Sequence, residues 1–114
     1  MRRAIFFGAM AALWVAAAAW QMVFAADKTC DLTYDNFGRA FMQKYCVACH
    51  DSAKAAADRN GAPDKVNFDT AAGVKKAKSD IVKWVIRESQ MPPEPPRPTD
   101  DEKTKLKAWL TCEY

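Results

Sequence analysis

The stretch Cys46-Val47-Ala48-Cys49-His50 constrains this chain more than any other. His50 is the only histidine among 114 residues, and it directly follows two cysteines spaced two residues apart. Three chemistries use such a cluster: a redox dithiol, part of a metal site, or covalent haem attachment. A thioredoxin-like dithiol needs a strand before it and a βαβ surround, whereas here the pattern leading to Cys46 is helical. Structural zinc usually takes two short-spaced cysteine pairs, but Cys30 and Cys112 stand alone near the two ends. A histidine adjacent to a cysteine is also badly placed to share one tetrahedral ion with it. The C-x-x-C-H order suits haem. Two thiols on one helical turn can each bond a porphyrin vinyl group, and the next imidazole is then held at the iron.

Iron held in this way leaves a second axial position. With no other histidine in the chain, the candidates beyond the leader are Met42 and Met91. Met42 lies one turn before Cys46 on the same helix, so it is expected to pack in the core on the attachment side. Met91 comes 41 residues after His50, enough chain to reach the opposite face of the ring. It opens the run Met91-Pro92-Pro93-Glu94-Pro95-Pro96, whose prolines restrict the backbone and lower the entropy of the loop that carries the thioether. The expected axial pair is His50 and Met91.

The first residues read as a targeting segment. Arg2 and Arg3 precede an almost wholly apolar run to Phe24, and the small Ala25 offers a cleavage site. Residues 1–25 are therefore expected to be a secretory signal peptide and 26–114 the mature domain, located in the periplasm. The apolar run of about 20 residues is also long enough for an uncleaved membrane anchor. Without Arg2 and Arg3, 15 basic residues face 14 acidic ones. No basic stripe interleaved with aromatics is present, so nucleic-acid binding is not expected.

Helical spacing dominates the remainder. Phe37, Phe41 and Tyr45 recur every four residues, with Thr33 or Asp35 as the cap. Asn60-Gly61-Ala62-Pro63-Asp64 is turn chemistry. A short helix follows from Asp69 or Thr70. Another is expected from a Ser79 or Asp80 cap, burying Ile81, Trp84 and Val85. The proline run ends it. A last helix starts at Thr99, which forms a capping box with Glu102, and buries Leu106, Trp109 and Leu110. The fold class is all-α: a small bundle of four to five helices in one domain, wrapped around one covalently bound haem. A domain this small often needs a cofactor or staple to complete its core.

At "YCVACH", "SQMPP" and the closing "PTDDEKTKLKAWL" the chain resembles a class I cytochrome c domain of the small bacterial periplasmic monohaem type, over most of residues 33–112. The resemblance implies first and last helices that cross beside the haem, with Gly38 and Phe41 in the positions that permit the crossing. It implies haem c with its iron as cofactor, bound through Cys46 and Cys49. It also implies a proline carbonyl that orients the histidine, for which Pro63 is the candidate. If the terminal helices cross, Cys30 and Cys112 lie close enough for a disulfide in an oxidising compartment. Trp84, Arg59 and Arg87 are candidate partners for the haem propionates, Trp84 with Pro63 forming part of the haem surround.

A six-coordinate His/Met iron has no open position for a substrate, so the expected role is one-electron transfer between transient redox partners and not catalysis. The protein would act as a monomer or as a subunit of a redox complex. Two alternatives stay open: a haem subunit docked on a larger dehydrogenase or oxidase, and a gas sensor or catalyst if Met91 is not a stable ligand.

Overall fold

The computed structural model describes residues 29–114; the expected signal peptide at 1–25 lies outside the described residues. Four α-helices and shorter helical turns make up the architecture, with no strand among the described residues. A π-helical turn, Tyr34–Gly38, runs directly into α1, Arg39–Tyr45. Helix α2 spans Ala71–Lys76. Helix α3, Lys78–Ile81, continues as a π-helical segment, Val82–Arg87. Helix α4 spans Asp100–Glu113. Between α1 and α2 the chain makes only a 3₁₀ turn, Ala56–Asp58. No helix among the described residues is long and apolar enough to cross a membrane.

Local chemistry explains most of the starts. Thr33 caps the first helical turn by accepting from Asn36 N, while the Asn36 side chain accepts from Thr33 N at 2.7 Å. Thr70 caps α2 by accepting from Gly73 N at 3.1 Å. Thr99 and Glu102 form the capping box of α4, with Asp100, Asp101 and Glu102 in its first turn, where the helix dipole favours negative charge. The expected Ser79 or Asp80 cap is absent. Helix α3 begins at Lys78, because Ala77 bridges it to α2: Ala77 N bonds Gly73 O, and Ile81 N bonds Ala77 O. The helical ladder is barely interrupted, so no side-chain cap is needed.

The core consists of Phe41, Met42 and Tyr45 from α1, Val74 and Ala77, Ile81 and Val85, Phe68 from the preceding loop, and Leu106, Trp109 and Leu110 from α4. The expected α3 stripe therefore holds at Ile81 and Val85 but not at Trp84, which is only half-buried. The π-helical segment is the cause. Its i→i+5 bonding turns each residue through a smaller angle than an α-helix does, which moves Trp84 off the Ile81–Val85 face. Lys83 Nζ lies 4.2 Å from the centre of the exposed side of its ring.

The start of the first helix meets α4 at Gly38, which lies beneath the Trp109 indole. Phe37 packs edge-on to the same indole at 5.8 Å between ring centres. Cys30 and Cys112 are joined by a disulfide, tying the segment before the first helix to the last turn of α4. This leaves the face formed by the end of α1, the loop after it, α3 and the proline run to enclose the cavity described next.

Candidate functional site

The end of α1 sets the position of the clamp. Cys46 N bonds Met42 O at 2.8 Å as the helix closes, and His50 N bonds Cys46 O at 2.9 Å one turn later. Cys46, Cys49 and His50 thereby come to line a cavity of ≈ 460 Å³, within the range of about 300–1,000 Å³ seen for small-molecule and cofactor sites. Met91 and the prolines that follow it line the same cavity, as do Phe41, Phe68, Ile81, Trp84 and Val85. Met42 is buried in the core at 1 % exposure and does not reach the cavity. Pro63 and Trp84 both line it.

The imidazole is oriented by its second nitrogen. His50 Nδ1 lies 2.9 Å from Val66 O. A carbonyl only accepts, so the proton sits on Nδ1 and the Nε2 lone pair is left free to bind a metal. The acceptor expected at Pro63 is thus displaced by three residues to Val66. Pro63 O is already engaged, accepting from Val66 N at 3.1 Å and from Arg59 Nη2 at 2.7 Å. Phe68 packs on the imidazole at 4.9 Å between ring centres, and its N–H bonds His50 O at 2.9 Å. Ser52 anchors the same two segments, its hydroxyl donating to Asp69 Oδ2 at 2.6 Å. That bond, above other causes, holds the Asp69 carboxyl below its ordinary pKa.

Arg59 is committed to its own loop. It is 2 % exposed, and its guanidinium donates to Asp51 O, Ala62 O, Pro63 O, Val66 O and Asn67 Oδ1. Burying an arginine is costly unless its donors are met, and the loop's own carbonyls meet them. Arg87 is exposed and does not line the cavity. The Val66 acceptor and the buried Arg59 went unforeseen. Neither has a motif, because a backbone carbonyl is present at every residue and only its direction makes it functional.

Met91 is held by its backbone, with Gln90 N and Met91 N both bonding Trp84 O, at 2.8 and 3.1 Å. Its side chain is 40 % exposed. Beyond it, Arg97 donates to Ser89 O at 3.4 Å and to Pro93 O, and Lys103 of α4 donates to Ser89 Oγ at 3.0 Å. The loop is thus fastened at both ends.

Donor chemistry tests the site against a haem. Two unpaired thiols, one imidazole with a free Nε2 and one thioether line a single largely apolar cavity. Among the described residues no group of three or more His, Cys, Asp or Glu side chains is arranged to hold a bare metal ion. Cys46 keeps some surface toward the cavity, yet burial pushes its thiol pKa up to about 12. Burial of this kind favours an uncharged sulfur. The residues fit a covalently tethered porphyrin.

A small all-α fold in which a C-x-x-C-H clamp and a methionine loop line one largely apolar cavity is that of a class I cytochrome c domain. The chain belongs to the family described as cytochrome c oxidase, cbb3-type, subunit III, whose family model matches residues 36–110. No curated protein and no solved structure matches the chain. A cytochrome c domain carries covalently bound haem c with its iron, and its role is haem-based electron transfer.

Proposed function

We propose that the protein is a periplasmic monohaem cytochrome c that carries single electrons between redox partners. Cys46 and Cys49 tether the haem, and His50 and Met91 are its axial ligands. The observation that supports this best is the convergence on one cavity of the clamp and of Met91, groups 41 residues apart in the chain. Bound haem supplies an iron that changes oxidation state by one electron.

The chain's own residues set how readily that happens. His50 presents Nε2 because Val66 O holds its other nitrogen. Met91 offers a soft thioether, which favours ferrous iron and raises the reduction potential. Phe41, Phe68, Ile81 and Val85 keep water from the enclosed side of the cavity, and an apolar wall disfavours the extra positive charge of the ferric state.

Replacing Met91 with Ala is expected to lower the midpoint potential and to let the ferrous protein bind carbon monoxide. Spectroscopic redox titration and carbon monoxide addition read both. An unchanged potential and spectrum would remove Met91 from the ligand set. Rapid carbon monoxide binding by the unaltered protein would instead favour a sensor or catalyst. The intact mass of the exported protein tests leader removal, one haem and the disulfide together.

The family description favours a second reading, in which the domain works as a haem subunit held in a larger redox complex. Size-exclusion of a native extract separates the two readings: a carrier elutes as a small protein, a subunit travels with its complex.

A further inference from the structure

Among the described residues Arg59 is the only buried polar or charged side chain, and the clamp and methionine ligands leave it without a role. The one carboxylate within ion-pair distance is Asp64, at 3.8 Å from Nε. The Asp64 side chain is 81 % exposed, so solvent screens most of its attraction. Asp69 lies beyond ion-pair distance but also feels the Arg59 charge, so the guanidinium is met mainly by dipoles and only in part by counter-charges.

One of those dipoles is the carbonyl that orients the imidazole. Arg59 Nη2, whose two hydrogens also serve Pro63 O and Asn67 Oδ1 at 2.7 Å, shares a longer bond of 3.1 Å with Val66 O, and His50 Nδ1 donates to the same oxygen at 2.9 Å. Two donors on one carbonyl compete for its electron density, and here one of the two is a cation. The share left to His50 shrinks, so Nδ1–H is held less strongly and Nε2 is a less basic ligand. A less basic ligand stabilises ferric iron less. A buried cation beside the imidazole, only partly compensated by Asp64 and Asp69, acts in the same direction, because it repels the additional positive charge of the oxidised state.

We propose that Arg59 is a positioning residue for His50 that raises the reduction potential of the iron, by sharing the Val66 carbonyl and by placing a partly compensated positive charge near the imidazole. Its own anchorage suits this role. Bonds to Asp51 O at 2.5 Å, Pro63 O at 2.7 Å and Asn67 Oδ1 at 2.7 Å fix the guanidinium from several directions, so its distance from Val66 O is set by the fold. The inference rests on the reading of His50 as an iron ligand.

The experiment uses the haem-loaded protein and three variants: Arg59→Gln, Arg59→Lys and Asn67→Asp. The last is isosteric and sets a carboxylate against the guanidinium, neutralising it at the loss of the bond from Asn67 Nδ2 to Asp64 O. Midpoint potentials are measured by redox titration, and the His50 Nδ1 proton is followed by NMR in the ferrous state. Arg59→Gln is expected to lower the ferrous-to-ferric ratio at a fixed ambient potential on the order of tenfold, about 59 mV for one electron. Its Nδ1 proton should move downfield as the bond to Val66 strengthens. Arg59→Lys keeps the charge but not the fork, and should fall between Arg59→Gln and the unaltered protein. Asn67→Asp should lower the potential with the haem spectrum intact, and it decides the matter alone if Arg59→Gln does not mature. Loaded Asn67→Asp and Arg59→Gln proteins with unchanged potentials, even with lower melting temperatures, would overturn the proposal and leave the haem reading standing. An unaltered protein that carries no haem, or does not ligate it through His50, would overturn both.

Discussion

Gly38 lies where the first helix crosses α4, and its hydrogen faces the six-membered ring of Trp109. A β-carbon there would overlap that ring, and Trp109 is fully buried with its N–H donated to Glu113, so it has nowhere to retreat. Helix propensity alone would reward Gly38→Ala by up to about 1 kcal/mol. Overpacking a filled core costs about 1–3 kcal/mol, and the larger effect wins. Gly38→Ala is expected to lower the denaturant midpoint, and a variant as stable as the parent would show that the helices part without cost. Phe41, the other position named for the crossing, is buried on the same helix and stacks on Tyr45 at 4.9 Å between ring centres.

Between elements, one carboxylate joins α1 to α4. Glu102 accepts from Thr99 N at 2.9 Å as part of the cap, from Tyr45 Oη at 2.7 Å and from Lys44 Nζ at 3.1 Å. The Thr99 backbone bond first, then Tyr45 and Lys44, hold its pKa at about 2, below the ordinary 4.5. A carboxyl depressed in the folded state contributes stability above its unfolded pKa and loses it as pH falls through the folded one. Stability is therefore expected to decline from about pH 5 towards pH 2 in part through Glu102. Glu102→Gln keeps a capping side chain but not the charge, so its stability should fall less steeply over that window in thermal melts at stepped pH. Parallel curves for parent and variant would exclude Glu102 as the titrating group. A capping box was readable from Thr99 and Glu102 three residues apart. The added contact to Tyr45, 57 residues away, was not.

At the scale of the whole molecule, the Cys30–Cys112 disulfide spans 82 residues and closes nearly all of the described chain into one loop. In the chain-entropy account a loop of this length contributes about 4–5 kcal/mol by restricting the unfolded state. Cys30→Ala with Cys112→Ala is expected to lower the melting temperature while leaving the visible spectrum of the haem protein unchanged, because neither cysteine touches the cavity. A changed spectrum would mean that the disulfide reaches the site after all.

The primary structure alone determined what depends on short spacing and residue chemistry. Cys46, Cys49 and His50 lie within one turn of one segment, caps join residues three apart, and proline cannot continue a helix. The all-α fold, the covalent haem and the helical faces follow from such local rules. Tertiary structure decided what depends on where the backbone points. Which carbonyl faces His50, Val66 and not Pro63, is set by the path of a loop with no regular period. The same path turned Arg59 inward onto the loop's own acceptors, and the π-helical bonding of Val82–Arg87 took Trp84 off the buried stripe. Side-chain identity encodes pattern over a few residues, whereas the direction of a carbonyl or the turn per residue of a helix is fixed only once distant segments have packed against each other.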